Sequence, residues 1–222
     1  YSSIQAAIDA AVATDSTNGA DNAHYSGLEG GTISGQPLAS SVQVIIHGGI
    51  YTEQVDIPGD PFGQTVRTVN DNWQVKAAPG ERVILNGKFS IGNGRDYGGF
   101  DGIDIFQSAS TGSAYSFGST ARGWNVKNGI IASDGTNANA GVTGSLNYGA
   151  TILSHMTLYN TNYGVSANYA AWGGISDSIV YGTTNIGVTS GNSYPATPSP
   201  FTYGNTMFFA NGTDTSGVVV DQ

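Results

Sequence analysis

The stretch Met156-Thr157-Leu158-Tyr159, followed after a short polar segment by Gly164-Val165-Ser166, decides the fold. The same unit recurs through the second half of the chain as a short apolar strand, an Asn/Thr/Gly-rich segment and a Gly-Val pair that opens another strand. A repeat of 20–50 residues is typical of proteins built from stacked structural units. The strands of the four copies are marked by Ile130, Met156, Ile179 and Met207, at intervals of 26, 23 and 28 residues.

Each unit carries at least two short strands separated by polar corners, so one unit alone cannot bury its apolar side. Stacking one unit on the next buries a continuous core. The units contain no helical pattern between their strands, which argues against βαβ crossovers. The sequence therefore predicts an all-β fold, a single-stranded right-handed parallel β-helix. Asn residues such as Asn160 are expected at its corners, because Asn tolerates left-handed backbone.

The N-terminal segment has a different period. Apolar residues at positions 4, 7, 8, 11 and 12 predict a helix over Ser3–Val12 that caps the β-helix, and Ser2 and Gln5 have capping-box spacing. We expect one domain over residues 1–222, with the capping helix and a long loop in 1–41 and the coils in 42–222. Strands are predicted at Val42–Ile46, Tyr51–Ile57, Trp73–Lys76, Val83–Leu85, Phe89–Ile91 and Ile103–Phe106.

Composition limits the function. Charged residues make up only 10% of the chain and Gly contributes 33 residues, which suits short strands joined by tight turns. The net charge is −9 with only seven Lys and Arg, so no nucleic-acid partner is expected. The absence of Cys excludes disulfides and thiolate chemistry. No apolar run approaches the ~20 residues of a membrane span.

Two segments near the N-terminus resemble a known superfamily. The chain has Ser3-Ile4-Gln5-Ala6-Ala7-Ile8-Asp9-Ala10-Ala11 and later Val44-Ile45-Ile46-His47-Gly48-Gly49-Ile50-Tyr51-Thr52-Glu53-Gln54-Val55-Asp56-Ile57-Pro58. Together these are similar to the opening of pectin methylesterases within the pectin-lyase-like superfamily, where a helix caps the β-helix and a Gly-x-Tyr-x-Glu stretch starts the coils. The resemblance implies a right-handed parallel β-helix with a helix at its start. It does not imply one activity, because the superfamily includes esterases, lyases, hydrolases, epimerases, virus tailspikes and structural coils.

The catalytic motifs of these relatives are incomplete in this chain. The Gln-Asp-Thr-Leu-like motif of the esterases is absent. The stretch Phe100-Asp101-Gly102-Ile103-Asp104-Ile105 resembles a polygalacturonase motif, and Trp124–Gly135 loosely resembles the coil that follows it. The resemblance makes Asp101, Asp104 and Asp134 the candidate carboxylates of a glycoside hydrolase, which needs two of them. The downstream Gly-His-Gly and Arg-x-Lys motifs are missing, and Asp101 and Asp104 alternatively read as polar corner residues.

A cation site is a further hypothesis. A pectate-lyase-like mechanism requires carboxylates for Ca²⁺, and Asp96, Asp101 and Asp104 lie close in sequence. No other cofactor is expected, because the three His residues are scattered through the chain without metal-ligand spacing. His47 is predicted to be a packed turn histidine.

Aromatic side chains at predicted corners suit sugar stacking or a subunit interface equally well. The principal candidates are Tyr97, Tyr163, Tyr169 and Trp172. Further aromatic residues predicted at corners are Tyr115, Tyr148, Tyr194 and Tyr203.

The C-terminal strand 217–222 is predicted to lack a cap within this sequence, and the low charge and Gly/Asn/Thr-rich coils resemble β-helical phage virion proteins. The leading hypothesis is a non-catalytic structural or glycan-recognition module of a virion or other extracellular assembly, of capsid-decoration, tailspike or fibre type. Its partners would be other protein subunits, including copies of itself, or a polysaccharide. The alternative is a hydrolase or lyase acting on an acidic polysaccharide, and a secreted adhesin fragment is the third hypothesis.

Overall fold

A computed structural model describes residues 1–19, 43–59, 73–93, 98–108, 112–118, 121, 123–136, 139–144, 151–167, 173–190, 201–217 and 219–221. Within these residues the protein is all-β apart from one N-terminal helix, α1. The eighteen strands found in the described ranges belong to one hydrogen-bonded sheet. All strand pairs with a defined register are parallel. The predicted all-β class is confirmed, and the parallel sheet is compatible with a β-helix.

Most predicted strands of the first half are present, although Val83–Leu85 and Phe89–Ile91 are parts of a single strand. The elements are α1 Ile4–Gly19, β1 Gln43–Ile46, β2 Gly49–Ile57, β3 Trp73–Ala77, β4 Val83–Ile91, β5 Gly98–Asp101, β6 Ile103–Gln107, β7 Tyr115–Phe117, β8 Trp124–Ser133, β9 Ala140–Gly144, β10 Thr151–Tyr159, β11 Tyr163–Ala167, β12 Gly173–Ser176, β13 Ile179–Tyr181, β14 Ile186–Ser190, β15 Phe201–Gly204, β16 Met207–Phe209, β17 Thr213–Gly217 and β18 Val219–Asp221.

The pairing pattern groups the strands into three ladders. Ladder 1 contains β1, β3, β5, the first parts of β8 and β10, and then β12, β15 and β18. Ladder 2 contains the first parts of β2 and β4, then β6, the last parts of β8 and β10, β13 and β16. Ladder 3 contains the last parts of β2 and β4, then β7, β9, β11, β14 and β17.

Helix α1 is tied to the sheet at its first turn. The Ser3 hydroxyl accepts a hydrogen bond from the Ala6 N–H at 3.0 Å, which makes Ser3 the N-cap. The Glu53 carboxylate of β2 accepts hydrogen bonds from the N–H groups of Ile4 at 2.8 Å and Gln5 at 2.9 Å. Glu53, the acidic residue of the Gly-x-Tyr-x-Glu stretch, thus satisfies two N–H groups that a helix cannot satisfy itself.

The structure corrects two expectations about this helix. It continues to Gly19, seven residues past the predicted end at Val12, so its last turns occupy the start of the predicted loop. The capping box between Ser2 and Gln5 does not form. The Gln5 amide instead bonds both backbone groups of Asp56 in β2, donating to its C=O at 3.1 Å and accepting from its N–H at 2.6 Å. The backbone at the edge of strand β2 therefore binds the Gln5 amide that the capping box would have used.

The core contains a buried aromatic cluster in the first half of the molecule. The Phe100 ring centroid lies 4.7 Å from Phe89, 4.8 Å from Tyr115 and 5.2 Å from Trp124. The prediction that Tyr115 lies at an exposed corner is wrong, because this side chain is fully buried in β7. Burial, together with the nearby Asp104 carboxylate, raises the pKa of the Tyr115 hydroxyl well above its usual range.

The recurring Gly-Val pairs are explained by close approach between strands. A Cβ added at Gly164 would lie 2.3 Å from the Gly187 carbonyl oxygen, and one added at Gly141 would lie 2.8 Å from that of Gly164. The following residues, Val142 and Val165, are buried. In each pair the glycine makes a backbone contact too close for any side chain, and the valine after it is the first residue of the strand to point into the core.

Non-glycine residues in left-handed backbone conformation mark the bends. Asn128, His155, Asp177 and Asn205 have φ between 47° and 57°, each at the point where ladder 1 ends and ladder 2 begins. Asn160 has φ 56° after β10, which confirms the conformation expected for Asn at a corner.

Candidate functional site

The three ladders present outer faces of different chemistry. Ladder 1 places Lys76, Asp101 and Lys127 side by side on adjacent strands, so this part of its face is charged. Ladder 3 presents a column of hydroxyl groups, and ladder 2 presents an apolar surface, described below. The hydroxyl column consists of Ser90, Ser116, Thr143, Ser166, Thr189 and Ser216.

Asp101 and Asp104 lie on either side of the bend at Gly102, and each has a cationic partner. The Asp101 carboxylate is 3.3 Å from Lys127 Nζ and accepts a hydrogen bond from Asn128 Nδ2 at 2.7 Å.

The Asp104 carboxylate accepts hydrogen bonds from Arg82 Nε at 2.9 Å and from the backbone N–H of Ile130 at 3.0 Å. Together, Asp101 and Asp104 form a salt-bridged corner in which their oxygens already have donors.

Asp134 lies apart from this corner. Ser133, the last residue of β8, pairs with Gln107, the last residue of β6, so Asp134 lies beyond the far end of β6, whereas Asp104 is near its start. Four residues of strand separate the two positions, which corresponds to about 13 Å along the strand. Hydrogen bonds from the Thr136 hydroxyl and N–H lower the pKa of the exposed Asp134 carboxyl. The structure thus brings Asp101 and Asp104 together but not Asp134.

Several predicted site residues fall outside the described part of the chain: Asp96, Tyr97, Tyr169 and Trp172.

The described residues contain no group of three or more His, Cys, Asp or Glu side chains able to hold a metal ion. Carboxylate oxygens are suitable Ca²⁺ ligands. However, ligation by Asp101 and Asp104 would require their contacts with Lys127 and Arg82 to be replaced.

Tyr163 and His47 occupy settings that differ from each other. Tyr163 opens β11 and is half-buried, and its hydroxyl accepts a long hydrogen bond of 3.5 Å from Asn185 Nδ2. His47, predicted to be packed, is 78% exposed and lies 3.2 Å from Glu81. Hydrogen bonds from the Gly48 N–H and from His47 lower the pKa of Glu81. Neither residue contributes to the salt-bridged corner.

The outer side of ladder 2, which we term the apolar face, is formed by two columns of side chains that cross seven successive strands. The register defines the first, aliphatic column as Ile50, Ile84, Asp104, Ile130, Thr157, Ile179 and Met207. The second, aromatic column consists of Thr52, Asn86, Phe106, Ala132, Tyr159, Tyr181 and Phe209.

The apolar face holds most of the exposed apolar side chains of the described residues. Ile50 is 72% exposed and Met207 is 59% exposed. Ten large hydrophobic side chains are exposed among the described residues, and of these ten only Tyr1, Ile45 and Ile152 lie elsewhere. The seven on the apolar face are Ile50, Phe106, Ile130, Tyr159, Ile179, Met207 and Phe209. A continuous exposed patch of this kind indicates a contact surface.

The aromatic column ends in a stack of three rings. The ring centroids of Tyr159 and Tyr181 are 4.4 Å apart with 21° between planes, and those of Tyr181 and Phe209 are 4.7 Å apart with 9°. Partial removal from water and the adjacent Tyr159 raise the pKa of the Tyr181 hydroxyl. Both faces of the Tyr181 ring therefore contact neighbouring rings, and this central ring presents its edge to its surroundings.

Sequence reasoning placed the candidate aromatics at corners and missed this stack. The signal was present, because the strand of each of the last three units ends in an aromatic residue: Tyr159, Tyr181 or Phe209. Only the register shows that these equivalent positions stand next to one another on the outside.

The apolar face carries one ionic side chain, Asp104, which is only 18% exposed and is neutralised by Arg82.

No helix in the described ranges has the length and apolarity needed to cross a membrane. Comparison of the sequence with protein-family models and with curated proteins, and of the fold with solved structures, gives no significant match.

Proposed function

We propose that this chain is a non-catalytic structural module of an extracellular assembly, such as a phage virion, and that it contacts other protein through the apolar face. The single observation that carries the proposal is the exposed, predominantly apolar surface of ladder 2, whose one ionic side chain, Asp104, is paired with Arg82. Seven exposed hydrophobic side chains in one patch favour a subunit contact over a solvated surface.

The fold proposed for this role is a single-stranded right-handed parallel β-helix of the pectin-lyase-like type. Three parallel ladders, visited in turn by successive segments, support a coil with three faces. A right-handed coil follows from the strong preference for right-handed connections between parallel strands. Helix α1 would cap the first coil, because Ile4 and Ile8 pack into the core and Glu53 holds the first turn.

The ring geometry supports protein contact over sugar recognition at this face. A sugar stacks on the flat face of an aromatic ring, whereas the faces of Tyr181 contact Tyr159 and Phe209. The edge of Tyr181 and the aliphatic side chains beside it remain for a partner, and these pack well against other apolar side chains.

Incubation with polygalacturonate and other acidic polysaccharides tests the non-catalytic part of the proposal. Reducing ends and unsaturated products should not increase above buffer for the natural protein, with or without added Ca²⁺. Depolymerisation that disappears in Asp101→Ala would overturn the proposal in favour of a hydrolase or lyase. Ser216→Ala, on the hydroxyl column, provides a matched control that should leave any activity unchanged.

A further inference from the structure

We propose that Met207 is a methionine oxidation site, at which a peroxide makes the apolar face more polar without disturbing the fold. Oxidation of a methionine thioether to the sulfoxide replaces a flexible apolar side chain with a polar one. The chain has no Cys, so Met156 and Met207 carry all of its sulfur. The structure places these two thioethers in opposite environments.

Exposure to solvent separates the two methionines. Met207 is 59% exposed, and it lies in the aliphatic column of the apolar face beside Ile179. Met156 is only 2% exposed and belongs to the buried core. A peroxide reaches Met207 directly from solvent, whereas it reaches Met156 only when the core opens locally. We therefore expect selective oxidation of Met207 in the folded chain.

Hydrogen peroxide alone balances the reaction. The Met207 sulfur donates an electron pair to one peroxide oxygen, the O–O bond breaks, and that oxygen stays on sulfur as the sulfoxide. The second oxygen leaves as water with both hydrogens of the peroxide. Hydrogen peroxide is uncharged, so the net charge of −9 does not repel it. A methionine sulfoxide reductase would restore the thioether.

The position of Met207 in β16 confines the change to the surface. Met207 is exposed, while Phe208, the next residue, is the one that packs against the core. The backbone N–H of Met207 donates to the Ser178 carbonyl at 2.9 Å, and oxidation of the side chain leaves this hydrogen bond available. Water can solvate a sulfoxide oxygen at this position, so no polar group is forced into the core.

The consequence for assembly rests on the proposed function, which assigns the apolar face to a protein contact. A sulfoxide in such a contact must lose its water or find a hydrogen-bond donor in the partner. Oxidation of Met207 therefore lowers the affinity of the apolar face for an apolar partner surface, and reduction restores it.

A time course with hydrogen peroxide, followed by proteolysis and mass spectrometry, measures the selectivity. In the folded natural chain Met207 should gain its oxygen about tenfold or more faster than Met156. In urea sufficient to unfold the chain the two rates should become similar, which is the internal control. Similar rates in the folded chain would overturn the proposal.

Hydrophobic-interaction chromatography on a phenyl resin tests the effect on the apolar face. The natural chain oxidised at Met207 should elute earlier than the untreated chain. Met207→Leu keeps an apolar side chain of similar volume, so peroxide should leave its retention unchanged. Unchanged retention of the oxidised natural chain, or an equal shift in Met207→Leu, would contradict a role of Met207 in this face.

Two further measurements separate the possible failures. Circular dichroism and the urea midpoint of the chain oxidised at Met207 should match those of the untreated chain, and a lower midpoint would show that oxidation disturbs the fold. The polysaccharide assay does not involve Met207. Depolymerising activity would overturn the proposed function and the consequence for assembly, while selective oxidation of Met207 would stand.

Discussion

The contact between Gly164 and the neighbouring strand predicts a large cost for the smallest possible substitution. In Gly164→Ala the new methyl group would lie 2.3 Å from the Gly187 carbonyl oxygen and 2.9 Å from a Val180 methyl group. An ordinary carbon–oxygen contact is about 3.3 Å or longer, so β11 and β14 must separate by roughly 1 Å. Because Gly187 contributes a backbone atom, no side-chain rotation can relieve the overlap.

The magnitude follows from the hydrogen bonds of this ladder. A shift of about 1 Å stretches bonds of ~2.9 Å beyond the useful range, and losing two or three of them costs about 1 kcal/mol each. The reduced entropy of the unfolded alanine variant offsets about 0.4–1 kcal/mol. We expect Gly164→Ala to lower the free energy of unfolding by about 1–2.5 kcal/mol, in the range found for overpacked cores.

Urea unfolding followed by circular dichroism measures this change. Gly49→Ala is the matched control, because its added methyl group would meet nothing closer than 3.5 Å and Gly49 lies at the start of a strand. The control should unfold within about 0.5 kcal/mol of the natural chain. If the two alanine variants unfold at the same urea concentration, the close approach of β11 and β14 is not what requires glycine.

Three further predictions concern stability. Glu53→Ala removes the acceptor of two N–H groups at the start of α1 and should lower the free energy of unfolding in urea by about 1–2 kcal/mol. Glu53→Gln should lower it less. Equal stability of the natural chain and both variants would contradict a stabilising role of Glu53 at the helix start. Phe100→Ala should lower the free energy of unfolding by about 3–5 kcal/mol, since the ring is buried among three others. Phe106→Ala, at an exposed ring, is the comparison, and a smaller loss of stability for Phe100→Ala than for Phe106→Ala would refute the prediction. The lowered pKa of Glu81 means that the folded state binds its proton less readily than the unfolded state. Its stabilisation is therefore present above the usual Glu pKa and lost as pH falls through the lowered one. In Glu81→Gln the free energy of unfolding should depend less steeply on pH below about 4.5. An unchanged slope would show that the Glu81 carboxyl does not contribute to the pH dependence of stability.

Most of the fold class was predictable, because it depends on patterns within short segments. The regular spacing of the short apolar strands and of the Gly-Val pairs predicted a strand-rich chain of stacked units. The i, i+3, i+4 pattern of apolar residues predicted the helix. The end of that helix was missed, since residues 13–19 are polar and show no apolar period. The N-cap was assigned one residue early because Gln5, which would complete the box with Ser2, is used by the backbone of Asp56 instead.

The candidate site was less predictable. Asp101 and Asp104 were identified as notable carboxylates, but their ion pairs depend on residues 22 to 26 positions away, Arg82 and Lys127. Those partners become neighbours only through strand register. The same applies to Tyr115, which is as aromatic as Tyr159 but lies on the inner side of its strand.

The sequence by itself determined which segments become strands and that these segments repeat, because apolar alternation and glycine act over a few residues. It also determined that the surface would carry little charge. Only the tertiary structure decided which residues stand side by side: Glu53 under the start of α1, and Tyr181 between Tyr159 and Phe209. The reason is physical. Parallel register joins residues 18 to 34 positions apart, and a shift of one residue would turn the exposed rings of ladder 2 into the core.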